Sequence, residues 1–316
     1  MARGRGMRAV MMQLFLDILM QVTLPIITLV VLGFVLQGRL KLDIGTLNRV
    51  QIYVVMPAFL IVFLSTAKQP FAAIWPVFLA GTILFLFLIP VGWLVAMMFR
   101  QRPSLGPMMG LGTGYANVGF FGIPVVQLAF GPDQIIYMSV MTVLTTTLIC
   151  TLGVAILAPA GSTKLGKLKI AFETPMMPAV FIGLALKGFD LQLPTVVLQP
   201  MQFLGSIFTP LAIFTLGAQL RESRIVSFEW LPQTLMVFLK FLIAPVLAWM
   251  VCSYLELPRD AQDVIVVACA TPVGVLITIF AAEYETEPEF ISTAVVVTTA
   301  LSPLFVSGWI LLTRLY

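Results

Sequence analysis

Two stretches of this 316-residue chain combine glycine, proline and polar side chains inside otherwise apolar sequence. The first, Gly110–Pro124 (GLGTGYANVGFFGIP), has five glycines, one asparagine and one proline, and the second, Ala270–Gly274, reads ATPVG. Glycine and proline both interrupt helices. In lipid, irregular backbone is tolerated only where protein or a water-filled cavity satisfies its amides. The two stretches therefore predict broken helices, which mark candidate binding sites in membrane proteins.

The chemistry that a broken helix offers is anion binding. Each new helix N-terminus presents unpaired N–H groups and about half a positive charge, so a carboxylate can bind there without an arginine. Glycines at the break allow close approach to backbone, although Gly110 and Gly114 also have the GxxxG spacing of helix packing. The candidate substrate-binding residues are Tyr115, Asn117, Gly119, Gly122, Pro124, Thr271, Pro272, Gly274 and Thr278.

Lys240 is the one basic residue deep inside an apolar stretch. About ten residues of helix, roughly 15 Å, separate it from Trp230, which is far for a lysine that reaches back to water. Ionisable residues at such a depth are functional candidates by default. Lys240 could attract an anionic substrate or titrate in proton coupling, and the alternatives are a water-filled crevice or a misplaced helix boundary.

Several function classes lack the residues they need. The chain has no histidine, and Cys150, Cys252 and Cys269 lie far apart in apolar runs, which excludes a catalytic triad and a zinc site. The GxGxG of the first stretch follows no strand, so it is not a dinucleotide fingerprint, and there is no Walker motif. We expect no enzyme activity, no metal and no cofactor, and the net charge of +4 is too small and dispersed for nucleic-acid binding.

The elements that position these residues are membrane-spanning helices. Hydrophobic residues make up 60% of the chain and charged ones 10%, against about 25% charged in soluble domains. Apolar runs of about 20 residues, the length that crosses a bilayer, predict an all-α membrane protein with ten transmembrane helices. The predicted spans are Leu16–Leu36, Leu47–Ser65, Phe71–Phe99, Leu105–Phe130, Gln134–Ala158, Thr174–Phe189, Thr195–Leu220, Trp230–Leu255, Ala261–Ala282 and Glu289–Leu312.

The two halves of the chain repeat each other. Pro25, Gly33 and Gly38 recur at the same spacing as Pro175, Gly183 and Gly188, and further matches follow in order through Thr142 and Thr298, at offsets of 150 to 156 residues. Each unit has five crossings, an odd number, so the second unit enters the membrane from the opposite side. The sequence therefore predicts inverted repeats, 1–160 and 172–316 joined by a linker at 161–171, and alternating access by exchange of their conformations.

The orientation follows from the loop charges. Lysine and arginine concentrate on the side of the loop between spans 5 and 6, which includes Lys164, Lys167 and Lys169. The positive-inside rule places this loop in the cytoplasm and both termini outside, in the periplasm or extracellular space. The basic N-terminus, with Arg3 and Arg5, is the contrary observation. We predict a multi-pass protein of the cell inner (plasma) membrane.

Three short strings resemble the auxin efflux carrier family of bacterial permeases, which is similar to malonate-type carriers and plant auxin exporters. They are ANVGFFGIPVV at Ala116–Val126, LGAQL at Leu216–Leu220, and ATPVG at Ala270–Gly274 followed by AAEY at Ala281–Tyr284. The resemblance implies small organic anions as substrates. It also implies a scaffold domain of spans 1, 2, 6 and 7, a transport domain of spans 3–5 and 8–10 that moves like an elevator, and helices 4 and 9 crossing at their breaks.

The resemblance also assigns residues at the crossing. Asn117 matches the asparagine of the family's fourth-span motif, and Pro272 matches the ninth-span proline. Family members often carry an asparagine four residues after that proline, where this chain has Leu276, with Thr278 nearby. The second half of the family's binding site is therefore altered here.

Three functions stay open on the sequence. The first is a secondary carrier of small organic anions with a carboxylate group. The second is a sodium-coupled symporter of the bile-acid type, although the crossing offers hydroxyls and no carboxylate. The third is a channel or a receptor-like membrane protein. Coupling to a proton or to sodium, and a homodimer in the lipid bilayer, are left open as well.

Overall fold

The computed structural model describes residues 2–66, 74–157, 175–222 and 228–315, and the predicted linker 161–171 lies outside them. In these residues, seven helices are long and apolar enough to cross a membrane. Numbered among all helices in chain order, they are α1 (Val10–Leu40, the apolar part of a helix that begins at Ala2), α2 (Ile44–Thr66), α3 (Ile74–Met98), α6 (Pro132–Leu157), α8 (Thr195–Glu222), α9 (Trp230–Tyr254) and α12 (Pro288–Leu315).

Five shorter helices complete the described part of the chain. They are α4 (Leu105–Gly114), α5 (Val118–Ala129), α7 (Met176–Gly188), α10 (Arg259–Cys269) and α11 (Leu276–Glu283). The predicted sixth span corresponds to the short α7. The predicted fourth and ninth spans are each divided in two, as α4 and α5 and as α10 and α11. The fold is thus an all-helical membrane protein, and the division of two segments is its most distinctive feature.

Prolines explain where the long helices widen. Single π-helical turns occupy Leu19–Thr23 in α1, Gln51–Val55 in α2, Val118–Gly122 at the start of α5 and Leu239–Ile243 in α9. Each of them ends two residues before a proline, namely Pro25, Pro57, Pro124 and Pro245. A proline has no N–H, and its ring clashes with the carbonyl one turn earlier, so the preceding turn opens. A further π-helical turn, Ile149–Gly153 in α6, has no such proline.

Glycines let α1 and α8 pack with their backbones in contact. A Cβ atom built on Gly33 would lie 2.0 Å from the carbonyl oxygen of Phe214, and one built on Gly217 would lie 1.9 Å from that of Val30. On the neighbouring pair, a Cβ on Gly183 of α7 would lie 2.8 Å from the Cβ of Leu64 in α2. Gly33 and Gly183 are equivalent positions of the predicted repeat, and each lies at a close helix contact, of α1 with α8 and of α7 with α2.

Gly217→Ala tests the contact between α1 and α8. We expect the added methyl group to separate the helices, cost about 3 kcal/mol of stability and lower the thermal unfolding temperature of the purified protein. Gly308→Ala is the matched control, because a Cβ there has no atom within 4 Å and alanine favours a helix. Equal unfolding temperatures for the two variants would contradict the close backbone contact.

An ion-pair network joins three loops at one end of the bundle. The Arg102 guanidinium, before α4, donates to Glu229 at 2.6 and 2.7 Å and to Glu287 at 2.6 and 2.5 Å. The Ser104 hydroxyl also donates to Glu287. Glu229 directly precedes α9 and Glu287 directly precedes α12, so the network ties α4, in the first half of the chain, to two helices of the second half.

Acid should weaken this network. The hydrogen bond from Arg102, followed by that from Ser104, holds the pKa of Glu287 below its ordinary value of 4.5. A lowered pKa means that the folded state gains stability above the ordinary value and loses it as the pH falls through the lowered one. We expect the unfolding temperature to fall less in Glu287→Gln than in the parent protein between neutral pH and about pH 3. The exposed Glu256 supplies the control variant, Glu256→Gln, which should follow the parent.

Candidate functional site

Both predicted breaks are present, and each lies at the residues that the sequence singled out. The helix α4 ends at Gly114, and Tyr115 is extended, with φ −97° and ψ 104°. Asn117 has φ −78° and ψ 59°, and α5 begins at Val118. On the other segment, α10 ends at Cys269 and α11 begins at Leu276. Pro272 has no N–H to continue α10, which accounts for the second break.

The two breaks meet and pair as a short antiparallel bridge between Ala116 and Val273. The Asn117 N–H donates to the Pro272 carbonyl at 2.8 Å, and the Gly274 N–H donates to the Tyr115 carbonyl at 3.0 Å. The two hydrogen bonds are equivalent when the segments are exchanged, so the pairing has local two-fold symmetry. Two extended segments thus satisfy each other's backbone groups where no water is needed, as a buried break requires.

The crossing leaves donors for a ligand beside Asn117. The Asn117 carbonyl accepts hydrogen bonds from the N–H groups of Phe121 and Gly122, at 3.2 and 2.9 Å. Gly119 and Phe120 lie in the first turn of α5, where a helix has no carbonyl to accept from their N–H groups. The Asn117 side chain is 4% exposed, and among the described residues its Nδ2 has no hydrogen-bond partner. An unpaired buried amide is costly, and a carboxylate is a group that would satisfy it.

The three glycines among the predicted site residues differ in how deeply they are buried. A Cβ on Gly274 would lie 2.3 Å from the Tyr115 ring, and one on Gly122 would lie 3.0 Å from the Met138 sulfur, so both glycines accommodate neighbouring side chains. A Cβ on Gly119 would also be close to a side chain, with Cγ2 of Thr142 at 3.1 Å, but Gly119 is half-buried, whereas Gly122 and Gly274 are buried. Of the three glycines, Gly119 is therefore the one best placed to approach a ligand.

The remaining predicted residues stabilise the crossing or lie next to it. The Thr271 hydroxyl is buried and donates to the Ala268 carbonyl at 2.7 Å, and the half-buried Thr278 donates to the Val275 carbonyl at 2.8 Å. Pro272 contributes its carbonyl to the bridge, and Pro124 is buried in the first turns of α5. Leu276, where the family often has asparagine, is the first residue of α11.

Lys240 lies at the C-terminal ends of α4 and α10, where the two helices break. It is fully buried in the π-helical turn of α9, and its Nζ donates to the Thr113 carbonyl, in the last turn of α4, at 3.2 Å. The small cavity that it lines is also lined by Gly114 and Cys269, the last residues of α4 and α10. Helix C-termini carry about half a negative charge each. The ammonium group of Lys240 therefore sits where two such charges converge.

Three polar residues near the crossing were not predicted. Thr298 accepts the N–H of Val273 at 3.1 Å and so holds the second break in place; its match to Thr142 in the repeat was the available signal. Gln51 and Thr215 are buried in α2 and α8, and no motif or spacing marks them. The described residues contain no group of three metal-ligating side chains.

Fold and site together define a multi-pass helical membrane protein with two broken helices that pair inside the bundle. Comparison with known families agrees: the membrane transport protein family matches residues 17–169 and 162–310. The chain therefore belongs to this family, that of the auxin efflux carriers, which confirms the resemblance found in the sequence.

Similar proteins cover almost the whole chain. An uncharacterised transporter of Methanocaldococcus jannaschii is 26% identical over 93% of this chain and 99% of its own length. One of Methanothermobacter thermautotrophicus is 26% identical over 92% and 96%. A Rhizobium meliloti protein, provisionally named a malonate transporter, is 24% identical over 92% of this chain and 94% of its own length. These relatives support a transporter as the class of protein.

Proposed function

We propose that this protein is a secondary carrier that moves small organic anions across the inner membrane by alternating access, and that it holds the substrate carboxylate at the crossing of the two broken helices. The observation that carries the proposal is the antiparallel pairing of Ala116 with Val273. It places Asn117, with its unpaired Nδ2, and the first turn of α5 at one point inside the bundle. The proposed ligands are the Asn117 side chain and the amides of Gly119 and Phe120.

The charge distribution around the crossing favours an anion on one side only. The N-terminal turns of α5 and α11 carry partial positive charge, and the C-termini of α4 and α10 carry partial negative charge. Lys240 compensates the negative pair, because it donates to the last turn of α4 and lines a cavity with the end of α10. An anion at the N-terminal turns then meets a positive field that nothing else in the crossing cancels.

The packing supports a division into two units. The helices α1, α2, α7 and α8, which correspond to spans 1, 2, 6 and 7, pack on one another through glycine contacts. The remaining helices carry the crossing, and the Arg102 network ties α4, α9 and α12 together. We propose that the first group is a scaffold in the lipid bilayer, and that the second group moves against it with the bound anion, as an elevator. Inverted repeats would supply the two end states.

The sodium-coupled alternative finds less support in the site. A sodium site needs several oxygen ligands, commonly with a carboxylate. The residues lining the cavity at the helix C-termini include the ammonium group of Lys240 and no carboxylate. Since Lys240 already supplies a positive charge there, we propose transport that does not require sodium.

Transport by the purified protein in proteoliposomes tests the proposed function. We expect saturable uptake of radiolabelled short carboxylates such as malonate, the compound in the name of the Rhizobium meliloti relative, with the same rate in sodium and in choline buffer. Uptake that rises with sodium would favour the symporter. Flux that does not saturate would favour a channel, and no flux of any carboxylate would favour a receptor-like protein.

A further inference from the structure

Several buried polar side chains have atoms without a hydrogen-bond partner among the described residues, including Thr293 and Thr299 of α12, and three of these side chains lie in α2, in α8 and at the crossing. Both polar atoms of Gln51 in α2, the hydroxyl of Thr215 in α8 and the Nδ2 of Asn117 are unpaired. Gln51 is 0% exposed, Thr215 2% and Asn117 4%. Buried polar groups nearly always find a partner in a folded protein. Gln51, Thr215 and Asn117 differ from Thr293 and Thr299 in that α2 and α8 lie next to the first turn of α5 in the candidate site, where a ligand can supply the partner.

Two contacts fix the register of α2 against α8. The Gln219 side chain donates to Asn48 at 2.9 Å, and the rings of Phe59 and Phe208 lie 4.7 Å apart. From the first contact to the second, the residue number rises by 11 along α2 and falls by 11 along α8, so the two helices are antiparallel. Gln51 is one turn from Asn48, and its register partner is Leu216. Gln51 therefore lies at the level of Leu216 and its neighbour Thr215, and the π-helical turn that begins at Gln51 contacts α8.

The same part of α2 and α8 packs against the crossing. Leu216 belongs to one apolar cluster with Phe121, in the first turn of α5. A Cβ built on Gly119 would lie 3.6 Å from the terminal methyl of Met56, which is in the helix turn after Gln51. Since α8 contacts both the π-helical turn that begins at Gln51 and the one that begins at Val118, this part of α2 and α8 lies next to the first turn of α5.

We infer that Gln51 and Thr215 form the second half of the substrate site, on the scaffold side, and that they select anions with a second polar group. This inference rests on the proposed function. Gln51 offers both a donor and an acceptor, and the threonine hydroxyl offers the same pair. The group that matches them donates one hydrogen bond and accepts another, as a hydroxyl or a protonated carboxyl does. Neither side chain has a positive charge that would favour a second carboxylate.

The π-helical turn at Gln51–Val55 agrees with a ligand role. Such turns in α-helices are frequent at functional sites. Gln51 is the first residue of this turn, Lys240 lies in the π-helical turn of α9, and Asn117 directly precedes the π-helical turn of α5. Three of the π-helical turns therefore carry or adjoin the polar residues that surround the crossing.

Lactate and propionate form the matched probe pair, since they share a three-carbon chain and differ by one hydroxyl. Malonate, assayed at acidic pH where it is largely the monoanion with one protonated carboxyl, is the probe for a carboxyl. In proteoliposomes we expect Gln51→Leu and Thr215→Val to lower the transport of lactate or malonate relative to propionate by about ten-fold or more, because the variant cannot pair the second group. The probe that loses more identifies the group, hydroxyl or carboxyl. The controls are Gln202→Leu and Thr28→Val, both at exposed positions of the scaffold helices.

Stability without ligand gives a second, independent readout. Removing an unpaired buried amide and filling its space with an apolar side chain should raise the unfolding temperature of ligand-free Gln51→Leu, whereas a purely structural glutamine would lower it. The conservative Thr215→Val keeps the side-chain shape, so it tests selectivity even where Gln51→Leu is poorly folded.

The possible results separate the two proposals. If the parent protein transports these carboxylates, and the transport rates of lactate and malonate relative to propionate are unchanged in the variants, the inference is wrong and the carrier function stands. If the parent neither transports nor is thermally stabilised by any of the three carboxylates, the proposed function and this inference are both wrong. Altered ratios in Gln51→Leu and Thr215→Val, with parental ratios in the controls, support the inference.

Discussion

Asn117→Ala is expected to abolish carboxylate transport in proteoliposomes, with a loss of at least 100-fold, while the protein is still inserted and folded. The side chain is buried at the crossing, and its Nδ2 is the unpaired donor that we assign to the substrate carboxylate. Hydrogen bonds to charged groups contribute about 1.5 to 3 kcal/mol, and a misplaced substrate loses further rate. Folding should survive, because the bridge uses the backbone N–H of Asn117, which alanine retains.

Asn48, the other asparagine of the chain, provides the control. Asn48→Ala removes the same amide from the scaffold, where it accepts a hydrogen bond from Gln219, and we expect transport within a few-fold of the parent. Gel-filtration profiles and unfolding temperatures of both variants show whether they are folded. Parental transport by Asn117→Ala would remove the carboxylate site from the crossing.

The breaks themselves could be predicted from the sequence, because their cause is local. Gly114, Pro272 and the polar Asn117 each disfavour a continuous helix within a few residues. The π-helical turns are local too, since four of them precede a proline in the next turn. The predicted repeat also led us to expect that the breaks meet, because equivalent segments of two inverted units would approach the same axis.

The environment of Gln51 and Thr215 could not be predicted in this way. Each is a single polar residue in an apolar run, and its meaning depends on a neighbour in another helix more than 150 residues away or in a different unit. The register of α2 on α8, set by Asn48 with Gln219 and by Phe59 with Phe208, is a property of packed surfaces. Spacing along one helix does not contain that information.

The depth of Lys240 was evident from the sequence, whereas its partner was not. The Thr113 carbonyl is free to accept because α4 stops one residue later, so the contact exists only through the break. The broken helices therefore create two opposite sites at once, with N-terminal amides for an anion and C-terminal carbonyls for a cation. In the function that we propose, a fixed lysine at the second site leaves the first as the one that a mobile ion can fill.

Lys240→Met is expected to lower anion transport by about 100-fold and to leave the protein folded. Methionine has a similar length and fills the apolar part of the lysine site, and replacing a buried charge by an apolar side chain of similar volume is often neutral for stability. The C-termini of α4 and α10 then lose their positive partner. Their partial negative charges, about one unit together, would weaken the field that attracts the substrate at the N-terminal turns.

Lys240→Arg separates charge from shape in the same assay. It keeps the positive charge and changes the geometry, so we expect transport between those of the parent and of Lys240→Met, with a lower affinity for the carboxylate as the main defect. The measurement is the concentration dependence of uptake in sodium and in choline buffer. If Lys240→Met retained the parental affinity and rate, the lysine would be a structural residue in a wet crevice. If sodium restored transport to Lys240→Met alone, a mobile cation could replace the ammonium group, which is the result that a purely electrostatic role for Lys240 predicts.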